Sequence, residues 1–146
     1  MRLATVAATI EEFPGGTPTA EDAAREIGCT PGEVVKTLVF VSERGYVLAL
    51  VPGDRRADEE KVAAAAGARG ARVARRDEVP LATGFEAGAV APFPNRGVAS
   101  VVLEQSLLQY DRVWIGAGTA THMAVLAPSD LRRLANAVPA DLVAPR

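Results

Sequence analysis

Residues 36–51 decide the fold class. They read Lys36-Thr-Leu-Val-Phe-Val-Ser42, then Glu43-Arg-Gly45, then Tyr46-Val-Leu-Ala-Leu-Val51. Two apolar runs rich in valine and leucine, joined by a short turn that contains glycine, predict a β-hairpin. Both runs are apolar enough to be central strands, so we expect this hairpin to form the middle of a sheet.

Short predicted strands and short predicted helices flank the hairpin. Apolar runs bounded by glycine or proline predict strands, whereas segments that follow a capping residue and end at glycine predict helices. We predict further strands at residues 3–13, 71–74, 98–104, 112–115 and 122–126, helices at 19–28, 58–66 and 128–135, shorter helical turns at 31–35 and 77–83, and a structured loop at 84–97. Hairpins mixed with helices predict an α+β fold with a mixed, barrel-like β-sheet flanked by helices.

Composition limits the possible classes of protein. The 146 residues, 49% of them hydrophobic, suit a single domain over residues 1–146, with a loose tail from about residue 137, where two prolines occur. No apolar run is long enough to span a membrane, and the N-terminus lacks the features of a signal peptide, so we expect a cytoplasmic protein. One cysteine and one histidine exclude a disulfide framework and a His/Cys metal centre, and we expect no cofactor.

Lys36 is the first candidate functional residue. The chain has fourteen arginines and two lysines, and Lys36 opens a strongly apolar strand. A lysine there can bind a phosphate or another anion as a point charge. It can equally protect a strand edge or extend its ammonium to solvent, and the sequence leaves both interpretations open.

Two glycine-containing loops are the next candidates. Gly88 and Pro92 bracket a segment in which glycine permits close approach of a ligand and proline fixes the turn, although an ordinary connection fits as well. The segment Gly116-Ala-Gly-Thr-Ala-Thr-His122 leaves a strand in a similar way. We include His122 among the substrate-binding candidates, although a lone histidine in a strand is more often structural.

Other chemistry has weaker support. Cys29 follows Gly28 at a predicted helix end, which is typical of a small packed residue rather than a nucleophile. No local sequence supports a Ser-His-Asp triad. Residues 55–76 carry a net charge of +4 within a chain of net charge −2, so they form either a local nucleic-acid-binding surface or a solvated helix face.

Five segments in order resemble the YbaK and prolyl-tRNA-synthetase-associated editing domains. They are Thr19-Ala-Glu-Asp-Ala-Ala24, Val34-Val-Lys-Thr-Leu-Val-Phe40, Gly84-Phe-Glu-Ala-Gly-Ala-Val-Ala-Pro-Phe93, Val113-Trp-Ile-Gly-Ala-Gly-Thr119 and Leu126-Ala-Pro-Ser-Asp-Leu131. Each segment alone is weak evidence, but their order and spacing across residues 5–135 are fairly specific.

The resemblance implies a function and a site. Proteins of this family hydrolyse amino acids wrongly attached to tRNA, most often tRNA for proline. Lys36 matches a family lysine that engages phosphate at the tRNA acceptor end, and the loop from Gly88 to Pro92 matches one that positions the aminoacyl ester. The resemblance thus implies catalytic roles for Lys36 and Gly88. The implied substrate-binding residues are Lys36, Gly84, Gly88, Ala89, Val90, Pro92, Gly116, Gly118 and Thr119.

We therefore expect a trans-editing aminoacyl-tRNA deacylase that removes a small amino acid, alanine or cysteine, from tRNA, with tRNA for proline as the expected carrier. The expected partners are the acceptor end of tRNA and a prolyl-tRNA synthetase. The alternative is a non-catalytic module of the same fold that binds tRNA or the synthetase.

Overall fold

The computed structural model describes residues 8–12, 19–83, 98–116 and 122–145. Within these residues the chain forms two β-sheets, four α-helices and two 3-10 turns, the latter at Pro31–Glu33 and Gln105–Gln109. The strands are β1 (Ala8–Glu12), β2 (Val35–Ser42), β3 (Gly45–Pro52), β4 (Ala71–Val73), β5 (Val98–Glu104), β6 (Val113–Gly116), β7 (His122–Leu126) and β8 (Val138–Ala140). The helices are α1 (Ala20–Ile27), α2 (Glu59–Ala66), α3 (Val79–Thr83) and α4 (Pro128–Ala135).

The larger sheet has five strands in the order β4-β2-β3-β5-β8. The hairpin predicted from residues 36–51 is confirmed: β2 and β3 are antiparallel neighbours, with Lys36 opposite Val51. Strands β3, β5 and β8 run parallel to one another, so the sheet is mixed, as the sequence predicts. Nearly every residue of β3 is buried, because the sheet is covered on both faces.

The smaller sheet has three antiparallel strands in the order β1-β7-β6. In the described part of the chain it meets the larger sheet through one parallel bridge, between Val34 and Trp114. The two sheets do not close into a barrel, so the barrel-like part of the prediction is wrong. The physical reason is that β4 and β8, at the edges of the larger sheet, are three residues each and pair on one side only.

Helices α1 and α2 have the capping residues that the sequence predicts, Thr19 and Gly28 for α1 and Gly67 for α2. The hydroxyl of Thr19 accepts the backbone N–H of Asp22 at the start of α1. At the end of α1, Gly28 adopts the left-handed conformation that favours glycine. Helix α2 is capped in the same manner by Asp58 and Gly67. None of the helices in the described residues has the length and apolar character needed to cross a bilayer.

The C-terminal residues differ from the predicted loose tail. Residues Val138–Ala140 form β8 beside β5, and the following Leu142 is fully buried. The carboxylate of Glu104, itself buried, accepts the backbone N–H of Leu142 at 2.9 Å. Pro139 is compatible with this strand because β8 is an edge strand, and a proline, which has no N–H to donate, is tolerated where one side of the strand has no neighbouring strand.

Candidate active site

The site forms where the two sheets meet. The bridge between Val34 and Trp114 is parallel, so β2 and β6 leave it in the same direction. Lys36 and Gly116 each lie two residues beyond this bridge, on the same side of the junction. Helix α1 covers the junction with small buried alanines, which pack against residues of the two sheets. The buried cluster that they form together consists of Ala20, Ala23, Ala24, Val34, Trp114 and Met123.

Lys36 is held by the backbone that follows β3. Its Nζ donates a hydrogen bond to the carbonyl oxygen of Arg55 at 2.7 Å. The side chain is half-buried, as expected for a lysine near the start of an apolar strand. An ammonium has three N–H donors, so this bond fixes its direction, and no other acceptor for it is recorded among the residues that the structure describes.

Partial burial lowers the pKa of Lys36 from its ordinary value. The carboxylates of Glu21 and Asp54 act in the opposite direction and raise this pKa, while the guanidinium of Arg56 lowers it further. A cation that has lost part of its hydration shell interacts more strongly with an anion than a fully solvated one does. Lys36 is therefore suited to bind a phosphate or a polar ribose oxygen.

Two glycines, Gly53 and Gly32, allow other parts of the chain to pack closely on the segments next to β2 and β3. The N–H of Gly53 donates to the carbonyl of Val34 at 2.7 Å. A Cβ at Gly53 would overlap the Cβ of Ala20, so α1 packs directly on this glycine. A Cβ at Gly32 would overlap the hydroxyl of Tyr110 in the same way. Sequence reasoning missed both positions.

A sequence signal for these glycines does exist. Each is the second residue of a Pro-Gly pair next to a strand of the hairpin, Pro31-Gly32 before β2 and Pro52-Gly53 after β3. Proline followed by glycine marks a turn, and a turn at a strand end brings backbones close together. The carbonyl of Arg55 has no comparable signal, because any residue type provides a carbonyl.

The structure places two of the candidate residues from the glycine-containing segments, Gly116 and His122. Gly116 ends β6 opposite Met123, and His122 begins β7, so both flank the predicted loop at one end of the smaller sheet. The Nε2 of His122 lies 3.5 Å from a carboxylate oxygen of Glu12, its partner across the β1–β7 pair. Lys36 lies in the other sheet. The remaining candidates, Gly84, Gly88, Ala89, Val90, Pro92, Gly118 and Thr119, lie outside the described residues.

Cys29 lacks the features of an activated nucleophile. Burial, followed by the neighbouring carboxylate of Glu33, raises the pKa of its thiol above the ordinary value. Cys29 also packs against the cluster under α1. Nucleophilic cysteines need a lowered pKa, so the packing interpretation fits better. The described residues contain no group of three or more His, Cys, Asp or Glu side chains arranged to hold a metal ion.

Three of the seven cations in the basic stretch at residues 55–76, Lys61, Arg72 and Arg75, form ion pairs. Arg72 forms a 2.9 Å ion pair with Glu78, and Lys61 forms one of the same length with Asp141. The pair with Arg72 lowers the pKa of Glu78 to about 2, and the backbone N–H of Arg75 contributes to the same shift. Lys61 and Arg72 are therefore engaged within the protein, and the choice between a nucleic-acid-binding surface and a solvated helix face depends on the other cations of the stretch.

Comparison with known proteins identifies the family. A family model described as an aminoacyl-tRNA editing domain matches residues 15–134. The chain belongs to this family. The resemblance inferred from the sequence motifs is confirmed, and Lys36, Gly53 and Gly116 all lie within the matched residues.

Two kinds of relative share the editing domain. The provisionally named Cys-tRNA(Pro)/Cys-tRNA(Cys) deacylase EbsC of Enterococcus faecalis is 29% identical over 80% of this chain and 72% of its own length. A proline–tRNA ligase of Nitratidesulfovibrio vulgaris is 34% identical over 88% of this chain, which spans 24% of the ligase.

Solved structures support the fold. A protein described provisionally as a trans-editing enzyme for prolyl-tRNA synthetase superposes with a TM-score of 0.85, at 36% identity over 94% of this chain and 87% of that one. The hypothetical protein APE2540 gives a TM-score of 0.87 at 28% identity over 94% of this chain and 92% of its own. The mixed α+β fold predicted from the sequence is therefore confirmed at the level of the editing-domain family.

Proposed function

We propose that the chain, as a single editing domain, is a trans-editing deacylase that hydrolyses the ester between a small amino acid and tRNA for proline. The observation that carries this proposal is the half-buried ammonium of Lys36, which the carbonyl of Arg55 fixes two residues beyond the bridge between the two sheets. Fixed in this way, Lys36 binds a phosphate or ribose oxygen at the acceptor end. Family membership and the names of the relatives support the reaction class.

The reaction needs little apparatus. Water adds to the ester carbonyl carbon, the bond from that carbon to the ribose oxygen breaks, and the ribose oxygen leaves with a proton. The ester is already activated, so positioning and electrostatic stabilisation are sufficient. This agrees with Cys29, whose raised pKa makes covalent catalysis by its thiol unfavourable. Gly88 and the residues around it, Gly84, Ala89, Val90 and Pro92, would then surround the aminoacyl group, and Gly116, Gly118, Thr119 and His122 the other side of the pocket.

Alanine and cysteine are the proposed amino acids. The name of the Enterococcus relative refers to cysteine, and both side chains are small. A pocket discriminates by about 1–3 kcal/mol for one methylene group, which is enough to exclude larger side chains. A prolyl-tRNA synthetase is the proposed partner, because this chain is similar to a segment of such ligases. Editing during translation would place the protein in the cytoplasm.

Release of amino acid from charged tRNA tests the proposal. The substrates are tRNA for proline charged with alanine, cysteine, serine or proline, and the proteins are the wild type, Lys36→Ala and a control. Arg133→Ala is a matched control, because Arg133 is an exposed cation on α4 that pairs with Asp130. Far-ultraviolet circular dichroism confirms that each variant is folded.

We expect catalytic release from alanyl- or cysteinyl-tRNA and retention of prolyl-tRNA. Lys36→Ala should lower the rate at least about tenfold, since hydrogen bonds to a charged group contribute about 1.5–3 kcal/mol. Arg133→Ala should leave it unchanged. Equal rates for wild type and Lys36→Ala would remove Lys36 from the mechanism. Binding of tRNA without turnover would instead support the alternative, a non-catalytic module.

A further inference from the structure

The residues after β8 contact the loop that holds Lys36. We call Asp141–Ala144 the C-terminal clamp. The guanidinium of Arg55 donates to the carbonyl of Ala144 at 2.8 Å, and the N–H of Ala144 donates to the carbonyl of Arg56 at 2.8 Å. Arg55 thus contacts Lys36 through its carbonyl and the clamp through its side chain.

The second lysine of the chain secures the same clamp. Nζ of Lys61, on α2, donates to the carboxylate of Asp141 at 2.9 Å and to the carbonyl of Val143 at 2.8 Å. The Lys61 ammonium therefore connects α2 to both ends of residues 141–143 within the clamp. A chain with fourteen arginines has its two lysines at the two ends of one hydrogen-bond network.

Burial anchors the clamp from beneath. Leu142 is fully buried, its N–H is accepted by the buried carboxylate of Glu104, and its carbonyl accepts the N–H of Asp58 at 2.8 Å. The clamp is thus attached to the core at its centre and to the loop at residues 55–58 on its outer side. Because the clamp holds residues 55–58, the Arg55 carbonyl that Lys36 contacts has little freedom to move.

We propose that the C-terminal clamp positions the ammonium of Lys36, with Arg55 and Lys61 as positioning residues. The role assigned to Lys36 rests on the proposed function. The clamp lies beyond residues 15–134, which the family model matches, so it is a feature of this chain outside the matched editing domain. Loosening the clamp frees the Arg55 carbonyl, and the ammonium then samples directions in which its other two donors miss the substrate.

A double-mutant cycle measures this coupling. Arg55→Met removes the guanidinium contact to Ala144 and keeps the Arg55 backbone carbonyl, while Lys36→Met removes the ammonium. We expect Arg55→Met to lower kcat/KM severalfold in the wild type and to have no further effect when Lys36 is already methionine. An equal loss in both backgrounds would show that Arg55 acts on the tRNA or on stability, and would overturn the proposal. Arg133→Met is the matched control.

A second measurement needs no tRNA. Protein labelled with ¹³C-lysine gives only two lysine Cε signals, and Lys36→Met assigns them. We expect Arg55→Met to shift the Lys36 signal and its titration midpoint, and Lys61→Met to shift them in the same direction from the far side of the clamp. An unchanged Lys36 signal in both variants would overturn the clamp proposal. A shifted signal in a protein without deacylase activity would support the clamp and refute the proposed function.

Discussion

Replacing Gly53 with alanine tests the packing that supports the site. Gly53 follows β3, and its φ lies outside the left-handed region, so an alanine is compatible with the backbone torsion. The obstacle is steric. The new Cβ would overlap the Cβ of Ala20 and lie 2.7 Å from the carbonyl oxygen of Pro31 and 3.0 Å from that of Val34. Two of these neighbours are backbone atoms, which cannot rotate away.

The magnitude follows from these contacts. Overpacking a close-packed region costs about 1–3 kcal/mol, because helix α1 or the loop must shift. The shift also stretches the 2.7 Å hydrogen bond from the Gly53 N–H to Val34, and the loss of such a bond adds about 0.5–1.5 kcal/mol. We therefore expect Gly53→Ala to lower the free energy of unfolding by about 2–4 kcal/mol in total.

Urea denaturation provides the assay, with Gly70→Ala as the control. A Cβ at Gly70 would meet nothing within 4 Å, and its φ is also ordinary, so this variant should change stability by less than about 0.5 kcal/mol. We expect a lower urea midpoint for Gly53→Ala with an unchanged slope. Equal midpoints for the two variants would refute the argument that α1 packs directly on Gly53.

Three further outcomes are expected. Leu142→Ala should lower the free energy of unfolding by about 2–5 kcal/mol because it leaves a cavity, whereas Val138→Ala, at a side chain 53% exposed, should have little effect; thermal unfolding compares them. Glu78→Gln should be less stable than the wild type at neutral pH. That difference should disappear as the pH falls from about 4.5 to about 2, because Arg72 holds the pKa of Glu78 near 2 and the stabilisation is lost as the carboxyl protonates. Cys29→Ala should leave the deacylation rate within about twofold of the wild type, since a thiol of raised pKa is a weak nucleophile; a large loss would revive the nucleophile interpretation.

Elements with local signals were predictable from the sequence. The hairpin of β2 and β3 combines apolar runs with a glycine turn, and the structure contains it with Ser42 opposite Gly45. Helices α1 and α2 each have a capping side chain at the start and a glycine at the end. Such signals act within a few residues, so one sequence contains all the information they need.

The failures involve contacts between distant residues. The predicted loose tail contains a strand because β8 pairs with β5, and Glu104, 38 positions before Leu142, accepts the N–H of Leu142 just after that strand. The two prolines in this segment favour a loose tail only when its contacts with β5 and Glu104 are not known. The barrel prediction failed for a similar reason, since strand number is a local property whereas closure depends on which edges pair.

For the candidate site, the sequence singles out one side chain that the structure describes, that of Lys36. Lys36 stands out because lysine is rare in this chain, but the atom that fixes it is a backbone carbonyl. Gly53 permits the close approach of α1, and its role depends on Ala20, which lies 33 positions earlier. The roles of Gly88 and Gly118 remain predictions from the resemblance.

The use of lysine at position 36, in a chain that otherwise prefers arginine, has a physical explanation. The ammonium is compact, and the Arg55 carbonyl accepts a hydrogen bond from one of its three donors. A guanidinium has five donors in a rigid plane and would need more acceptors in a half-buried place. Glu21 and Asp54 raise the pKa of Lys36 and so favour the charged form, which opposes the effect of its partial burial. A compact charge with a fixed direction is what the proposed binding of a single phosphate or ribose oxygen requires.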